Sequence, residues 1–300
     1  MPLPARVTVV EVGPRDGLQN EPGVIGVADK IAFVERLAAA GAAVVEAASF
    51  VNPAWVPQMA DADQVLSGIR RQPGVRYPVL VPNVTGLERA LAAGADDIAV
   101  FAAASETFSQ RNLNRTIDES LEIYRDVSVR AIAAGVRVRA YLSTAFGCPF
   151  EGPVAPDRVA ALAAALIAMG ASEVAVSDTI GVAHPGQVSQ VVDAVASRIP
   201  IERLALHFHD TRGSALANVL TALHLGVSTF DASAGGLGGC PYAPGATGNL
   251  ASEDLVYMLR GLDIETGIDL DRLVEASAFI ESRLGHPLPS RYYRAERARV

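Results

Sequence analysis

Hydrophobic and polar positions along this chain alternate between short apolar runs and longer amphipathic stretches. The short runs are rich in β-branched residues, which is typical of buried strands. The longer stretches are rich in alanine and repeat their apolar positions at helical spacing. The pattern predicts strands over residues 7–12, 43–47, 77–81, 97–101, 136–142, 173–177, 204–209 and 229–232. It predicts helices over residues 29–40, 61–71, 85–93, 116–134, 156–169, 185–197, 214–225 and 252–260.

Glycines mark the ends of several predicted helices. Gly41, Gly94, Gly135, Gly170 and Gly226 each stand one to three positions before a predicted strand. Glycine readily adopts the left-handed conformation that ends a helix and returns the chain to a sheet. Eight strands that alternate with helices predict an α/β protein, a (β/α)8 TIM barrel.

An open doubly wound sheet is the alternative fold. Gly13-Pro14-Arg15-Asp16-Gly17 follows the first predicted strand, and this is not a dinucleotide-binding fingerprint, so the barrel is favoured. We expect one catalytic barrel domain over residues 1–300, with residues 269–300 as a C-terminal helical extension. Within it we predict a helix over residues 271–284 and an irregular basic tail. The added helix could cover the barrel or a contact in a homodimer.

Composition narrows the classes of protein to which this chain could belong. Its 33 acidic and 25 basic residues give a formal net charge of −8, and no long basic run appears, so nucleic acid is not an expected partner. Two cysteines in 300 residues exclude a disulfide framework. No signal-peptide layout or long apolar span is present. We therefore expect a cytoplasmic protein with no membrane partner.

Two histidines at the end of a predicted strand are the strongest chemical signal. His207 and His209 are one residue apart, and side chains in a strand alternate between faces, so both imidazoles point the same way. Two imidazoles on one face can form half of a metal site. They could instead be two hydrogen-bonded histidines of the barrel interior.

Asp16 is the best carboxylate partner for the two histidines. The first and seventh predicted strands are near neighbours in an eight-membered ring, and Asn249 could add a carbonyl oxygen. A mixed oxygen and nitrogen set with open positions favours Mg²⁺ or Mn²⁺. Two histidines and a carboxylate also bind zinc, so Zn²⁺ stays open. As an alternative, Asp16 could be a turn residue before Gly17.

Other polar residues also gather at the predicted carboxyl ends of the strands, where a barrel builds its functional face. They are Glu11, Glu46, Arg139, Tyr141, Ser143 and Asp178. Charged groups in apolar strands are costly unless they are paired or bind a metal, so this clustering favours one shared polar site. Glu46 and Asp178 could instead be structural ion-pair partners of Arg139.

Cys240 follows a glycine-rich segment that ends at Gly239 and precedes Pro241. A thiol on such a loop could move over a site and exclude water. A lone cysteine is, as an alternative, often a small buried residue.

These residues resemble the hydroxymethylglutaryl-CoA lyase family, and the resemblance extends from Val7 to about Arg283. The matching motifs are Val10-Glu11-Val12-Gly13-Pro14-Arg15-Asp16-Gly17-Leu18-Gln19-Asn20-Glu21, Glu46-Ala47-Ala48-Ser49-Phe50, Trp55-Val56-Pro57-Gln58-Met59, Gly147-Cys148-Pro149, Asp178-Thr179-Ile180-Gly181, His207-Phe208-His209-Asp210-Thr211, Ala234-Gly235-Gly236-Leu237-Gly238-Gly239-Cys240-Pro241-Tyr242-Ala243, Gly248-Asn249-Leu250 and Glu253-Asp254-Leu255. The glycine-rich Cys240 motif is highly specific. The two-histidine strand is shared with related barrel metalloenzymes, including isopropylmalate and homocitrate synthases.

The resemblance implies cleavage of 3-hydroxy-3-methylglutaryl-CoA into acetyl-CoA and acetoacetate, as in leucine degradation. It implies metal ligands Asp16, His207, His209 and Asn249, and the catalytic residues Arg15, Cys240, Asp178 and Glu46. Arg15 would stabilise the enolate, Cys240 would take part in proton transfer and closure over the site, and Asp178 and Glu46 would support proton movement. Gln19 and Glu11 would shape the end of the first strand. Arg139, Tyr141, Ser143 and Gly239 complete the predicted substrate-binding set.

Three other functions stay open at this point. Relatives act on longer branched 3-hydroxyglutaryl thioesters, so the acyl chain is not fixed. A Claisen-type synthase is a second alternative, although such synthases usually carry further C-terminal domains. A non-catalytic metal-binding barrel is the third, and it would not require Arg15, Cys240 and both histidines together.

Overall fold

In the computed structural model, which describes residues 2–239 and 248–298, nine strands form one parallel sheet. They are β1 (Thr8–Glu11), β2 (Val44–Val45), β3 (Ala48–Ser49), β4 (Val79–Leu80), β5 (Asp97–Ala103), β6 (Arg137–Ser143), β7 (Val174–Asp178), β8 (Leu204–Phe208) and β9 (Thr229–Ala232). The order across the sheet is β2-β1-β9-β8-β7-β6-β5-β4-β3. All eight predicted strand regions are therefore present.

The two edge strands of this sheet are halves of one interrupted strand. β2 pairs with β1 and β3 pairs with β4, and only Glu46 and Ala47 separate β2 from β3. The Glu46 N–H donates to the Glu11 carbonyl at 2.8 Å, and the Ala47 N–H donates to the Pro78 carbonyl at 2.9 Å. The sheet thus closes into an eight-stranded ring. The (β/α)8 prediction is confirmed, and the doubly wound alternative is wrong.

Helices follow the strands and cover the outside of the ring. They are α1 (Val27–Ala39), α2 (Ala62–Gly68), α3 (Val84–Ala92), α4 (Glu106–Leu113), α5 (Ile117–Ala133), α6 (Pro156–Ala168), α7 (Pro185–Ala196), α8 (Ala215–His224), α9 (Ser252–Gly261), α10 (Leu270–Leu284) and α11 (Arg291–Arg297). The five glycines predicted to end helices all have positive φ, between 76° and 100°. Their role as helix stops is the one that the sequence indicated.

Two helices were absent from the sequence prediction. α4 consists mostly of polar residues and is fixed at its ends, where Ser105 caps its first turn and Asn114 takes the left-handed conformation. α11 lies in the segment that we predicted to be an irregular tail, and that prediction is wrong. Four of its seven residues are charged, so it lacks the apolar periodicity on which the prediction depended. Its one buried side chain is Tyr293.

The interior of the ring has an apolar layer below its polar end. Leu80, Ala99, Tyr141, Ala175 and Ala205 form a small buried cluster on neighbouring strands, separate from the larger core between strands and helices. Alternation along β8 places His207 on the same face as Ala205, one step nearer the carboxyl end. The apolar layer therefore supports the polar groups above it. None of the helices within the described residues combines the length and the hydropathy that a membrane span requires.

Candidate metal centre and active site

Asp16, His207 and His209 meet at the carboxyl end of the barrel. Asp16 lies in a π-helical turn (Gly13–Gly17) directly after β1, and His207 and His209 lie at the end of β8. One ligand atom from each of the three side chains lies within 4.8 Å of the others. Both imidazoles are buried, and Asp16 is partly exposed. The structure therefore brings together three of the four predicted ligands in a compact cluster.

Asn249, the fourth predicted ligand, lies beside them. Its Nδ2 donates to Asp16 Oδ2 and to the Leu237 carbonyl, both at 2.9 Å, so its Oδ1 faces elsewhere. Asn249 Oδ1 and His209 Nδ1 are both buried and have no hydrogen-bond partner within the described ranges 2–239 and 248–298. Buried polar atoms without partners are costly in a metal-free protein. These oxygen and nitrogen donors fit a divalent cation.

A chain of buried charged groups orients His207. Its Nδ1 is 3.2 Å from Asp231 Oδ2, which leaves Nε2 as the nitrogen available to a metal ion. The other oxygen of Asp231 accepts from Arg139 Nη2 at 2.5 Å, and Arg139 Nε donates to Glu173 Oε1 at 2.7 Å. A carboxylate behind a ligating histidine fixes its tautomer and the orientation of its ring.

Burial and neighbouring charges set the protonation of this cluster. Burial lowers the pKa of His209 to about 4, and the adjacent His207 acts in the same direction, so His209 is neutral at neutral pH. Burial alone would raise the pKa of Asp16, but Arg15 and the two histidines outweigh it and lower that pKa to about 2. An ionised carboxylate and a neutral imidazole are the forms that bind metal ions.

Arg15 is a buried cation next to this cluster. Its Nε and Nη2 contact Glu46 Oε2 at 2.8 and 2.7 Å, and its Nη1 donates to Asp16 Oδ1 at 2.8 Å. Its guanidinium carbon is 5.3 Å from the centre of the Tyr141 ring. Burial opposes the charge on Arg15, but Glu46 and Asp16 raise its pKa above the usual value. Arg15 is therefore a fixed positive charge at the site.

A cavity of about 410 Å³ opens onto these groups. Eight of the predicted site residues line it, namely Arg15, Asp16, Gln19, Tyr141, Ser143, His207, His209 and Gly239. A second part of its wall is apolar and is formed by Phe101, Phe108, Leu113, Ile123 and Tyr124. The cavity thus joins the polar cluster to a hydrophobic surface, as in many sites for small molecules.

Glu11 and Asp178 lie close to the site but hold backbone segments. Glu11 accepts from the N–H groups of Gly13 and Ala234 and from the Ser252 hydroxyl. The two oxygens of Asp178 accept from the N–H groups of residues 182 and 183, and burial raises the pKa of Asp178 to about 6. Their predicted catalytic and supporting roles stay predictions.

The sequence left open that Glu46 and Asp178 are ion-pair partners of Arg139, and the structure shows other partners. Glu46 pairs with Arg15, and Asp178 accepts backbone hydrogen bonds, so neither is an ion-pair partner of Arg139. Its partners are Glu173 and Asp231. The alternative is wrong because the stagger of the barrel strands, which the sequence does not show, decides which interior charges meet.

Cys240, a predicted catalytic residue, lies outside the described residues. Asp231, in contrast, was overlooked as the partner of His207. A carboxylate inside the apolar strand β9 was a signal that it needs a partner. Asp231 pairs in register with His207 across β8 and β9, and this proximity follows only from the strand order.

Comparison with known proteins gives one consistent result. The HMGL-like family model matches residues 6–280. A curated relative, the 3-hydroxy-3-isohexenylglutaryl-CoA/hydroxy-methylglutaryl-CoA lyase of Pseudomonas aeruginosa, is 54% identical over 295 residues, which are 98% of each chain. A crystal structure of hydroxymethylglutaryl-CoA lyase from Pseudomonas aeruginosa has a TM-score of 0.98 at 53% identity and covers both chains fully.

A second solved structure is an HMG-CoA lyase from Acinetobacter baumannii in complex with coenzyme A and 3-methylmalate. It is 39% identical, has a TM-score of 0.93, and the match covers 97% of this chain and 95% of that chain. The family match over residues 6–280 includes every strand of the barrel and the positions of Asp16, His207, His209 and Asn249. On the family match and these nearly full-length relatives, this chain belongs to the hydroxymethylglutaryl-CoA lyase family.

Proposed function

We propose that this protein is a divalent-metal-dependent carbon–carbon lyase that cleaves 3-hydroxy-3-methylglutaryl-CoA into acetyl-CoA and acetoacetate. The observation that carries the proposal is the cluster of Asp16, His207 and His209 in one cavity with Arg15, in a chain of this family. The cavity brings the candidate metal ligands and a fixed cation together. A polar site with these two features suits a reaction that develops negative charge on oxygen.

The reaction requires two proton movements and one broken bond. The tertiary hydroxyl loses its proton, the adjacent carbon–carbon bond breaks, and the electron pair moves onto the acetyl thioester as an enolate. The enolate carbon then takes up a proton and becomes the methyl group of acetyl-CoA. A divalent cation held by Asp16, His207, His209 and Asn249 would lower the pKa of the substrate hydroxyl.

We propose that Arg15 stabilises the enolate oxygen. It is charged, lines the cavity and is held in one orientation by Glu46 and Asp16. A preorganised cation needs no reorganisation when negative charge develops, which is the main advantage of such groups in catalysis. For the proton that returns to carbon we propose Cys240 as donor, with Glu46 and Asp178 supporting proton movement.

The direct test is cleavage by the purified protein. We expect acetoacetate to form from 3-hydroxy-3-methylglutaryl-CoA in the presence of Mg²⁺ or Mn²⁺ and a thiol reductant, and to stop when the metal is chelated. Mg²⁺, Mn²⁺ and Zn²⁺ should be compared in parallel, since the ligand set alone permits each. If the protein bound Mn²⁺ but released no product from this thioester or from one with a longer chain at C3, the result would favour a non-catalytic barrel.

The apolar wall of the cavity supports a second substrate. Phe101, Phe108, Leu113, Ile123 and Tyr124 line the cavity with apolar side chains that could contact a C3 chain longer than methyl. The Pseudomonas aeruginosa relative is named for an isohexenyl as well as a methyl substrate. We therefore propose that this protein also accepts a 3-hydroxyglutaryl thioester with a longer branched chain at C3.

Leu113→Trp should separate the two substrates. The larger side chain would occupy space along the apolar wall that the isohexenyl chain needs. We expect kcat/KM for the isohexenyl thioester to fall about tenfold or more, which is the effect of losing the contacts of one or two methylene groups in a hydrophobic pocket. Activity on the methyl substrate should change little. Val129→Trp, at an exposed position of α5 outside the cavity wall, is the matched control. Equal losses on both substrates would argue against a separate chain-binding wall.

The remaining assignments are proposals of the same kind. We propose Mg²⁺ or Mn²⁺ as the working metal, an acyl-CoA as the small-molecule partner and a role in leucine degradation. We also propose a cytoplasmic location, one catalytic domain over residues 1–300 and a homodimer. Sedimentation of the purified protein and metal analysis after mild purification would test the oligomeric state and the metal.

A further inference from the structure

The C-terminal segment crosses the carboxyl end of the barrel beyond residue 280, where the family match ends. We call residues 286–293 the C-terminal brace. At its start His286 Nε2 is 2.7 Å from Glu21 Oε2, shortly after the turn that carries Asp16. Near its end Arg291 Nη1 donates to Asp210 Oδ2 at 2.8 Å, and Asp210 directly follows His209. The brace therefore contacts segments on two sides of the metal centre.

Between these ends the brace holds the glycine turn Ala234–Gly236. The Ser290 N–H donates to the Gly235 carbonyl at 2.9 Å, and the Gly235 N–H donates to the carboxylate of Glu253. Leu288 is buried, and a Cβ on Gly235 would overlap Leu288 Cδ1. With φ of +67°, Gly235 takes a conformation that suits glycine. The turn is thus fixed from three sides.

The glycine turn leads directly to the groups that hold Asn249. The Leu237 carbonyl accepts from Asn249 Nδ2 at 2.9 Å, and a Cβ on Gly238 would lie 2.5 Å from the same nitrogen. Asn249 also forms a backbone bridge with His209, and the Asp210 N–H donates to the carbonyl of residue 248 at 3.1 Å. A shift of the turn would therefore move Asn249 relative to His209.

Glu253 and Asp254, two neighbouring carboxylates on α9, accept hydrogen bonds from the glycine turn and from the brace. Glu253 accepts from the Gly235 N–H, and the neighbouring Asp254 holds the brace. Asp254 accepts from the Ser290 hydroxyl at 3.0 Å and from the N–H groups of Arg291 and Tyr292 at 3.2 and 2.7 Å. The first turn of α9 is thus a common anchor for both segments.

We infer that the C-terminal brace positions the metal centre, with Leu288 and Arg291 as positioning residues. Leu288 fixes the glycine turn that leads to Asn249, and Arg291 fixes Asp210 beside His209. Neither residue lines the cavity or belongs to the proposed ligand set. The catalytic part of the inference rests on the proposed function, but its effect on metal affinity does not.

The test compares Arg291→Ala, Leu288→Ala and Arg291→Lys with the unaltered protein. Titration of each metal-free protein with Mn²⁺, followed by electron paramagnetic resonance, should show the dissociation constant rising about 2- to 30-fold in both alanine variants, the range for residues that act through a neighbour. kcat for the methyl thioester should fall, while KM for the thioester stays within about twofold, since substrate contacts are unchanged. Arg291→Lys should recover most of the Mn²⁺ affinity.

Arg294→Ala is the control, because Arg294 is an exposed arginine on the same short helix α11. Circular dichroism identifies any variant that fails to fold, and Arg291 is exposed enough that its alanine variant should keep the fold. Unchanged Mn²⁺ affinity in folded Arg291→Ala and Leu288→Ala would overturn the inference, as would an equal loss in Arg294→Ala. If the unaltered protein cleaved neither thioester while the two variants still lost Mn²⁺ affinity, the proposed function would fail and the brace would stand.

Discussion

His209→Ala should abolish most metal binding and most lyase activity. Replacing an outer partner of a ligating histidine typically costs 10- to 100-fold in metal affinity, so loss of a ligand should raise the Mn²⁺ dissociation constant by more than about 100-fold. kcat/KM should fall by at least the same factor at limiting metal. Mn²⁺ titration and acetoacetate release measure the two effects separately.

The metal-free variant should nevertheless fold. His209 Nδ1 is buried and without a hydrogen-bond partner in the part of the chain that the structure describes, so the imidazole is held at a cost when no cation is present. Saturating Mn²⁺ should raise the thermal midpoint of the unaltered protein, because at 100 times the dissociation constant a ligand adds about 2.7 kcal/mol to the free energy of unfolding. The variant should show little of this rise.

His224→Ala is the matched control for this prediction. His224 is exposed at the end of α8, on the outer layer of helices, and takes no part in the cavity wall. The control variant should bind Mn²⁺ and turn over substrate like the unaltered protein. Near-normal metal affinity in His209→Ala would show that the cation binds elsewhere, and the metal centre described above would have to be abandoned.

The cluster of Asp16, His207 and His209 could be predicted from the sequence because it depends on local geometry and on one topological rule. Alternation along a strand places His207 and His209 on one face, and a barrel brings the carboxyl ends of its strands together, which adds Asp16. The glycine helix stops were accessible for the same reason, since positive φ is a property of single residues. Neither prediction needed the register between individual strands.

The supporting groups depend on long-range pairing, which the sequence does not display. Asp231 meets His207 only because β8 and β9 are neighbours in register, and Arg139 meets Glu173 rather than Glu46 because of strand stagger. Arg291 lies on a helix without an apolar stripe, and its contacts with Asp254 and Asp210 join segments that are distant in the sequence. The sequence thus predicts which candidate ligands cluster together more readily than it predicts the side chains that support them.

Replacing Arg15 should strongly lower turnover without weakening metal binding. Removing one preorganised group that stabilises an oxyanion costs about 10²- to 10³-fold in kcat, and we expect a fall of that size. Arg15→Met alone would leave Glu46 buried without its ion pair, which typically destabilises a fold by about 3–5 kcal/mol. The double variant Arg15→Met/Glu46→Gln removes both charges and is therefore the better test.

Metal affinity distinguishes this variant from His209→Ala. Arg15 contacts Asp16 Oδ1 at 2.8 Å, so its positive charge competes with a cation for the same carboxylate. Mn²⁺ affinity in the double variant should be maintained or increased while kcat falls. Glu46→Gln alone shows how much of the fall comes from the lost carboxylate, and Arg36→Met, at an exposed position of α1, controls for loss of a cation.

A double variant with unchanged kcat would remove Arg15 from the chemistry and leave it as a structural partner of Glu46. A fall in kcat together with weaker Mn²⁺ binding would assign Arg15 to the integrity of the metal centre instead. The expected combination, slower turnover with Mn²⁺ bound at least as tightly, requires that Arg15 act on charge that develops during the reaction. Only an interaction that is stronger in the transition state than in the ground state lowers kcat when it is lost.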